Sequence, residues 1–393
     1  ELFRALIQFR ESGKPIYCYA DNLDRSSYVY LAAISDMLAI NPNAELNLVD
    51  IASFSFYYKG LFEKLGISFY NLRSHDTKTA NNPYTEYGMT EAERRMKERY
   101  VSSLSAQLHA MLTDARADKL SEPSDQLFAN GPYLLSSRAL DTGLVDSLMY
   151  REEFEDYIEE QHPGAKKTGI FAYNDRSYLS WGPEPFNKKV HILHLNGSIL
   201  MDTGISGVSI GSTTANRLRE LREDSSVDAI ILRIDSGGGS AYMSDLISRE
   251  VALCVESGKP VYVSMSGFAA SGGYYIAAKA NRIFAEEATI TGSIGVTGML
   301  YNVSSLMEKL GVTADLVGVS TSADFDNAFL PESEEDKTNY QNYIREVYDR
   351  FITIVAEGRD LDKSRVDEIG KGQVWLGSEA LVLGLIDELG GLQ

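Results

Sequence analysis

Between residues 188 and 280 the chain alternates between short apolar runs and amphipathic stretches. The apolar runs predict strands and the amphipathic stretches predict helices. Strand patterns cover 188–199, 228–235 and 260–266, and helical patterns cover 213–227, 241–258 and 272–280. The strand at 228–235 is mostly apolar, which is typical of a parallel strand buried on both faces. The alternation predicts an α/β fold built from parallel β-α-β units.

The pattern occurs twice in the chain. "ESGKPIYCYADNLDRSSYVYLAA" begins at Glu11, and "ESGKPVYVSMSGFAASGGYYIAA" begins 245 residues later, at Glu256. At the same offset "LFEKLGI", from Leu61, falls on "LMEKLGV", from Leu306. Residues 134–148 also resemble a later stretch, "WLGSEALVLGLIDEL". Three matches in the same order predict two diverged tandem repeats.

The matches divide the chain into three parts. We predict an N-terminal repeat at 1–150, a turn-rich linker at 151–187 and a C-terminal repeat at 188–393. The first repeat begins within the counterpart of the helix at 241–258, so its own first strands are missing. We therefore expect the natural protein to be longer at its N-terminus, or those strands to come from elsewhere.

Bulk composition limits the class of protein. A chain of 393 residues is too long for one ordinary core. Its formal net charge of −19 argues against nucleic acid or an anionic membrane as a ligand. The two cysteines give neither a disulfide framework nor a metal-type spacing. No apolar run reaches about 18 residues, so we expect no membrane span here.

Ser271 is the candidate nucleophile. It lies in "SMSGFAASGGYYIAA", after a predicted strand and at the start of a predicted helix. Gly272 places an unobstructed N–H beside it, and a second glycine turn, "SGGGS" at 236–240, also joins a strand to a helix. Two such amides can stabilise an oxyanion. The alternative is that these small residues only allow close packing of strand and helix.

A serine needs a base to remove its proton. The chain offers five histidines, none of them in a motif that resembles a Ser-His-Asp order: His75, His109, His162, His191 and His194. Lysine is the other option, because burial disfavours the ammonium form and lowers its pKa. Lys78, in the polar loop "HDTKTANNPYTEYG", differs from the other lysines, most of which lie in charge-rich stretches.

The two repeats complement each other. At offset 245 the counterpart of Lys78 is Ala323, and the counterpart of Ser271 is Ser26, which lacks the glycine context. Each repeat therefore has one element of a catalytic pair and lacks the other. This distribution is what we expect of a duplicated enzyme with one site shared between its halves.

Several segments together resemble one family: "IDSGGGSA", "SMSGFAASGGYYIAA", "ATITGSIGV", "TKTANNPY" and "VWLGSEALVLGLIDELGG". They resemble the signal peptide peptidase A (protease IV) family, in its long duplicated form. The resemblance covers nearly the whole chain and implies tandem repeats of the ClpP/crotonase-like superfold. Two departures are Thr79 in place of a serine and Gly237 in place of a proline.

The resemblance implies a serine endopeptidase with a Ser-Lys dyad that degrades cleaved signal peptides and other hydrophobic peptides. Carried over by position, Ser271 is the nucleophile and Lys78 the base. Gly238 and Gly272 match the amides of the oxyanion hole. Ser293, in "TGSIG", matches a hydroxyl that orients the lysine, or it simply caps a turn. No metal or organic cofactor is implied.

The resemblance also implies a homotetramer at the bacterial cytoplasmic membrane, with its catalytic body on the outer, periplasmic face. An N-terminal anchor outside this chain would make the membrane contact. Two alternatives remain open: a catalytically inactive scaffold of the same fold, and a crotonase-like acyl-CoA enzyme. The second typically uses carboxylates rather than a serine nucleophile.

Overall fold

A computed structural model describes residues 2–169, 189–202, 204–205, 207–316, 327–330 and 334–392. Within them the chain forms two compact units. The first contains Glu1–Ala52 and Val101–Asn187, and the second contains Ser53–Tyr100 and Lys188–Gln393. Ala323 and residues 170–187 of the predicted linker lie outside the described residues.

The helices, in chain order, are α1 (Leu2–Glu11), α2 (Arg25–Ile34), α3 (Lys59–Leu65), α4 (Asn82–Thr85), α5 (Glu91–Arg116), α6 (Ser124–Ala129), α7 (Ser136–Asp141), α8 (Arg151–Gln161), α9 (Ser212–Glu223), α10 (Ala241–Glu256), α11 (Gly272–Ala277), α12 (Ser304–Lys309), α13 (Glu334–Arg359), α14 (Lys363–Ile369) and α15 (Gly377–Val382).

The strands are β1 (Tyr17–Ala20), β2 (Leu23–Asp24), β3 (Met37–Ile40), β4 (Leu46–Asn47), β5 (Ser68–Arg73), β6 (Ser147–Leu148), β7 (Lys189–Asn196), β8 (Ser198–Ile199), β9 (Ser209–Ile210), β10 (Val227–Ser236), β11 (Val261–Ala270), β12 (Arg282–Ala285), β13 (Ile290–Gly292), β14 (Thr297–Asn302), β15 (Val374–Leu376) and β16 (Glu388–Leu389).

The first unit is built on a small parallel sheet in the order β1-β3-β6. All four residues of β3 are buried, so this central strand forms part of the core. Helix α2 packs Tyr28, Val29 and Ala32 into the same core. The Tyr28 hydroxyl donates to the carbonyl of Leu144 at 2.8 Å, which satisfies its polar end within the apolar surroundings.

The second unit is built on a larger sheet whose main path runs β15-β13-β11-β10-β7. Its pairs are parallel except for β13 with β15. Besides β10, strand β11 pairs with two further strands: its first half pairs with β12 and its end pairs with β13. The core residues of β10, Ile230, Leu232 and Ile234, recur at every second position, so this strand buries one face fully and leaves the other half-buried or exposed.

The segment that carries Lys78 belongs to the second unit. Strand β5, just before that loop, pairs antiparallel with β14, from Arg73 opposite Thr297 to Ser68 opposite Asn302. Leu72 and Leu300 from this ribbon pack against Ile344 of α13. These contacts explain why residues 53–100, within the predicted N-terminal repeat, fold with the C-terminal one. The repeat boundaries themselves stay a prediction.

Some corresponding elements of the two repeats have equal lengths. Strand β3 corresponds to β12 at an offset of 245, and α7 corresponds to α15 at 241. Helices α5 and α13 both have 26 residues. The predicted α/β class with parallel β-α-β units in tandem repeats is confirmed.

Several element boundaries differ from the predictions; the helices predicted at 213–227 and 272–280, for example, end at Glu223 and Ala277. Strand β11 runs four residues beyond the predicted strand, to Ala270, so it reaches Ser271 directly. The predicted linker begins with a regular helix, α8. Of the described helices, none combines the length and the apolar character that crossing a membrane requires.

Candidate active site

Ser271 lies at a sharp turn between β11 and α11. Its backbone has φ 54° and ψ −120°, a left-handed conformation that is uncommon for a residue other than glycine. The Ser271 N–H donates to Gly292 O at 2.9 Å, which ties the turn to the end of β13. Strain of this kind concentrates at functional sites, where the surrounding structure enforces it.

Lys78 lies in the loop between β5 and α4. Its N–H donates to His75 O at 3.0 Å, which folds the loop back on itself. The Asn81 side chain donates to Thr297 Oγ1 and Gly298 O, both at 2.9 Å, and so fixes the loop to β14. The Asn82 side chain donates to the buried carboxylate of Glu93 at 2.8 Å. The lysine is thus carried by a loop with several fixed points.

The structure brings Lys78, Ser271 and Ser293 together. Lys78 Nζ lies 2.9 Å from Ser271 Oγ, 2.9 Å from Ser293 Oγ and 3.0 Å from Ser293 O. Only 6% of the Lys78 surface is exposed. Burial lowers the pKa of Lys78 from its ordinary 10.5 to about 7. A substantial fraction of the amine is therefore neutral near physiological pH.

This arrangement suits a neutral amine acting as a base. A neutral lysine has two N–H groups and one lone pair. The carbonyl and the hydroxyl oxygen of Ser293 can accept the two N–H groups. The lone pair then faces Ser271 Oγ and can take its proton. Ser293 itself has φ 49°, so a second strained serine supports the contact.

The two predicted oxyanion amides are placed differently. Gly272 begins α11, so its N–H has no acceptor within the helix. Gly238 packs tightly on the site, but its N–H donates to Ser236 Oγ at 3.1 Å. That amide is already engaged, which weighs against its predicted role. Gly239 instead lines the cavity beside Ser271, and its N–H has no acceptor among the described residues.

A cavity of about 710 Å³ opens at Ser271 and Lys78. Apolar and aromatic side chains from β14 and α13 form much of its wall, including Leu300, Ile344, Val347 and Phe351. No Asp or Glu is among the described residues that line it. The site therefore combines a reactive pair with an apolar chamber.

Four residues near the two glycine turns differ in their relation to this wall. Tyr242 and Tyr275 do line the cavity, whereas Met243 and Tyr274 belong to the buried core. Among the described residues no histidine contacts Ser271 Oγ; His109, for example, stacks on Phe128 and His162 bonds Tyr17. Nor does any group of three His, Cys, Asp or Glu among them have a metal-binding arrangement.

The sequence patterns missed two parts of the site. Helix α13 supplies one wall, and its apolar residues recur at helical spacing in "YQNYIREVYDRFITIV", a signal that was available. The loop at 370–373 packs against Lys78, and its glycines alone give no indication of that contact. The lysine and the loop are far apart in sequence, so only the fold brings them together.

Comparison with known proteins identifies the family. Residues 8–163 and 254–393 match the model of peptidase family S49. Two separate matched segments are what a tandem arrangement requires. The chain belongs to peptidase family S49.

Individual relatives agree with this assignment. Protease 4 from Salmonella typhi is 34% identical over 98% of this chain. A putative signal peptide peptidase SppA from Enterococcus faecium is 37% identical over 52% of the chain. This chain spans less than two thirds of either relative, 63% and 60% of their lengths.

A mutant ClpP1 from Listeria monocytogenes overlaps with 52% of the chain and is itself covered to 92%, at 15% identity and a TM-score of 0.34. A TM-score this low does not establish that the two proteins share a fold. The fold class rests on the sheet of the second unit and on the two matched segments.

Proposed function

We propose that this protein is a serine endopeptidase with a Ser271–Lys78 dyad. The observation that carries the proposal is the 2.9 Å separation of Lys78 Nζ and Ser271 Oγ, at a lysine whose pKa is lowered to about 7 by burial. Membership of peptidase family S49 supports it independently. The described residues of the cavity wall include no carboxylate, which disfavours the crotonase-like alternative.

In the proposed reaction neutral Lys78 removes the Ser271 proton as Oγ attacks the scissile carbonyl carbon. The carbonyl oxygen becomes an oxyanion. Lys78 then gives the proton to the leaving nitrogen, the C–N bond breaks, and an ester to Ser271 remains. A water molecule, deprotonated by Lys78, attacks that ester and releases the acid. Ser271 recovers its proton at the end of the cycle.

For the oxyanion we propose the amides of Gly272 and Gly239. Both glycines line the cavity beside Ser271, and neither N–H has an acceptor among the described residues. A Cβ built on Gly272 would lie 3.3 Å from Gly239 N, so the two amides are near neighbours. Gly238 could take this role only by giving up its bond to Ser236 Oγ. Each oxyanion donor is typically worth about 10²–10³ in rate.

For the substrate we propose hydrophobic peptides such as the remnants of signal peptides. The side chains of a hydrophobic peptide need apolar surroundings. In the cavity Tyr275, Leu300 and Phe351 supply such surroundings. The name of the Enterococcus faecium relative points to the same substrate class. Placement at the bacterial cytoplasmic membrane, through an anchor outside this chain and facing the periplasm, stays a prediction from family resemblance.

We also propose that copies of this chain assemble, as a homotetramer. In each chain β14 of the second repeat pairs with β5 of the first. At offset 245 the counterpart of β14 is residues 52–57, which belong to no helix or strand, and that of residues 68–71 is 313–316. Among the described residues, neither segment has a backbone hydrogen-bond partner. An unpaired strand edge is a template for another chain.

The exposed aromatic rings Phe54 and Phe56 lie along the first of these segments. If the repeats are equivalent, 54–57 of one copy pairs with 313–316 of the next. Substituting proline for Phe56 would remove a backbone donor from this edge. Sedimentation velocity is expected to show a tetramer for the wild type and smaller species for F56P. A wild type that sediments as a monomer would contradict the assembly.

The catalytic proposal is tested with a labelled signal peptide and a fluorogenic hydrophobic peptide ester. Wild type is compared with S271A and K78A, and circular dichroism checks that each variant is folded. The proposal expects both variants to lose activity together. An active K78A with an inactive S271A would require another base, and an inactive wild type would favour the scaffold alternative.

A further inference from the structure

The loop between α14 and β15, residues 370–373, covers one side of Lys78. A Cβ built on Gly372 would lie 2.8 Å from Lys78 Cβ and 2.9 Å from its Cα. Real Cβ atoms essentially never approach that closely, so the bare backbone of Gly372 packs directly on the lysine. Gly372 also has φ +80°, a left-handed conformation that glycine adopts without a steric cost.

A second glycine extends this wall along the lysine side chain. A Cβ on Gly295 would lie 2.7 Å from Gly372 Cα and 3.3 Å from Lys78 Cδ. The backbones of the two glycines and the aliphatic stem of Lys78 are therefore in mutual contact. Backbone packed without intervening side chains leaves little space for water beside the stem.

Hydrogen bonds fix the loop to both sides of the dyad. Thr77 Oγ1, next to the lysine, donates to Lys371 O. Gly372 N–H donates to Ile294 O at 2.7 Å, and Ser293 N–H donates to Gln373 O at 2.6 Å. The loop thus contacts the residue before the lysine and the serine that accepts from its amine.

A tyrosine of α13 holds the loop from behind. Lys371 N–H donates to Tyr348 Oη at 3.2 Å, and that hydroxyl donates to Asp367 Oδ1 at 2.7 Å. Tyr348 is largely buried, so the contact is shielded from solvent. The loop is therefore a fixed part of the site.

We propose that Gly372 is a positioning residue for Lys78: its bare backbone closes one side of the lysine to water and holds Nζ between Ser271 and Ser293. The proposal rests on the function proposed above, in which Lys78 must be neutral to act. A side chain at this position would push the lysine away from the loop and admit water beside it.

The titratable groups on the elements around Lys78 have other partners. On its own loop, Asp76 pairs with Arg73 at 3.1 Å, and the His75 ring contacts Tyr348 edge-on, with ring centroids 4.7 Å apart. Tyr348 bonds Asp367, and Lys371 Nζ lies 4.0 Å from Asp367. Burial lowers the pKa of Lys78 by desolvating its amine, so the packing around the lysine controls this pKa.

The test compares G372A with G258A, using the pH dependence of kcat/KM on the peptide ester. Gly258 is the matched control, because it has φ +82° and open space where a Cβ would be added. Both variants place alanine in a left-handed backbone, but only G372A contacts the lysine. Since the base must be neutral, wild-type activity is expected to rise through about pH 7.

In G372A the midpoint of that rise is expected to move upward by at least about one pH unit, toward the ordinary lysine value. Activity at neutral pH falls at least about tenfold and partly recovers in alkali. G258A keeps the wild-type midpoint. A G372A midpoint equal to that of the wild type would overturn the proposal, even if activity were lower.

If G372A fails to fold, Y348F tests the same role of the loop at 370–373, with a smaller expected effect. It removes the hydroxyl that accepts from Lys371 N–H, so a smaller upward shift of the midpoint is expected. An unchanged midpoint in Y348F would contradict the proposed role of the loop in positioning Lys78. Failure of the dyad itself would look different, because S271A or K78A would then keep its activity.

Discussion

The two repeats place a serine at equivalent positions, and the surroundings of the two serines differ. Ser26 lies in the first turn of α2, a regular helix whose cap residue Asp24 accepts the N–H of Ser27 at 2.9 Å. Ser271 has a left-handed backbone directly after β11. Ser26 is exposed, whereas Ser271 contacts a buried lysine.

The difference shows what a strand-serine-helix pattern needs before it can support catalysis. In the first repeat Arg25 and Tyr28 occupy positions that hold small residues in the second. Tyr28 is buried and bonded to Leu144 O, so α2 serves the core of its own unit. The small residues of the second repeat instead allow the strained turn and leave space for a ligand.

The largest expected effect comes from removing the base. K78M keeps an apolar stem of similar length but has no amine, so we expect kcat/KM on the peptide ester to fall by about 10³ or more. The matched control is K64M, which removes an exposed lysine of α3 and is expected to leave activity unchanged. If K78M were as active as K64M, Ser271 would not depend on Lys78, and the contact with this lysine would no longer distinguish Ser271 from Ser26.

The next effect concerns Ser293. S293A deletes one of the two acceptors that hold the Lys78 amine, so kcat is expected to fall about tenfold. The lost acceptor also stabilised the ammonium form, so the pH midpoint moves downward, opposite to the shift expected for G372A. The pH dependence of kcat for S293A measures both the fall in rate and the shift of the midpoint. If S293A reacted at the full wild-type rate, Ser293 would have only a structural role in its turn.

The buried lysine also predicts a pH-dependent stability. Lys78 has a pKa of about 7 when folded and 10.5 as its ordinary value. Between these values the unfolded chain binds more protons, so wild-type stability rises with pH across that window. K78M lacks this dependence. At pH 7 it is expected to be more stable than the wild type, by on the order of a few kcal/mol.

Thermal unfolding at pH 7 and pH 9.5 measures this difference. We expect K78M to unfold at a higher temperature at pH 7 and the gap to narrow at pH 9.5. A gap that stays constant with pH would mean that Lys78 is not held in its neutral form.

The smallest expected effect is that of S26A. Ser26 is exposed, so its loss should change activity and stability by less than about 0.5 kcal/mol. The peptide ester assay and thermal unfolding check this together. A large loss of activity in S26A would mean that the first repeat retains a catalytic role.

The chemistry of the site could be predicted from the sequence because it depends on residue types in local motifs. Ser271 follows a strand and precedes glycines, and Lys78 stands in the repeat that lacks such a turn. The two residues are 193 positions apart in sequence, and the fold brings their side chains into contact.

Other features could not be predicted because they depend on contacts between distant segments. Two candidate amides, Gly238 and Gly239, are adjacent in one glycine run; the bond from Gly238 to Ser236 Oγ and the place of Gly239 in the cavity wall distinguish them. The pairing of β5 with β14 places residues 53–100 in the second unit, against the order of the repeats. The contact of Gly372 with Lys78 likewise needs the complete fold.

Reaction with a fluorophosphonate tests the central claim most directly. The probe forms a bond from phosphorus to an activated serine Oγ and releases fluoride, and mass spectrometry locates the adduct. The account predicts one adduct, at Ser271, in the wild type and S26A, with a rate that rises through about pH 7, and none over the same time in K78M. Labelling of K78M at the wild-type rate, or an adduct at another residue, would contradict it.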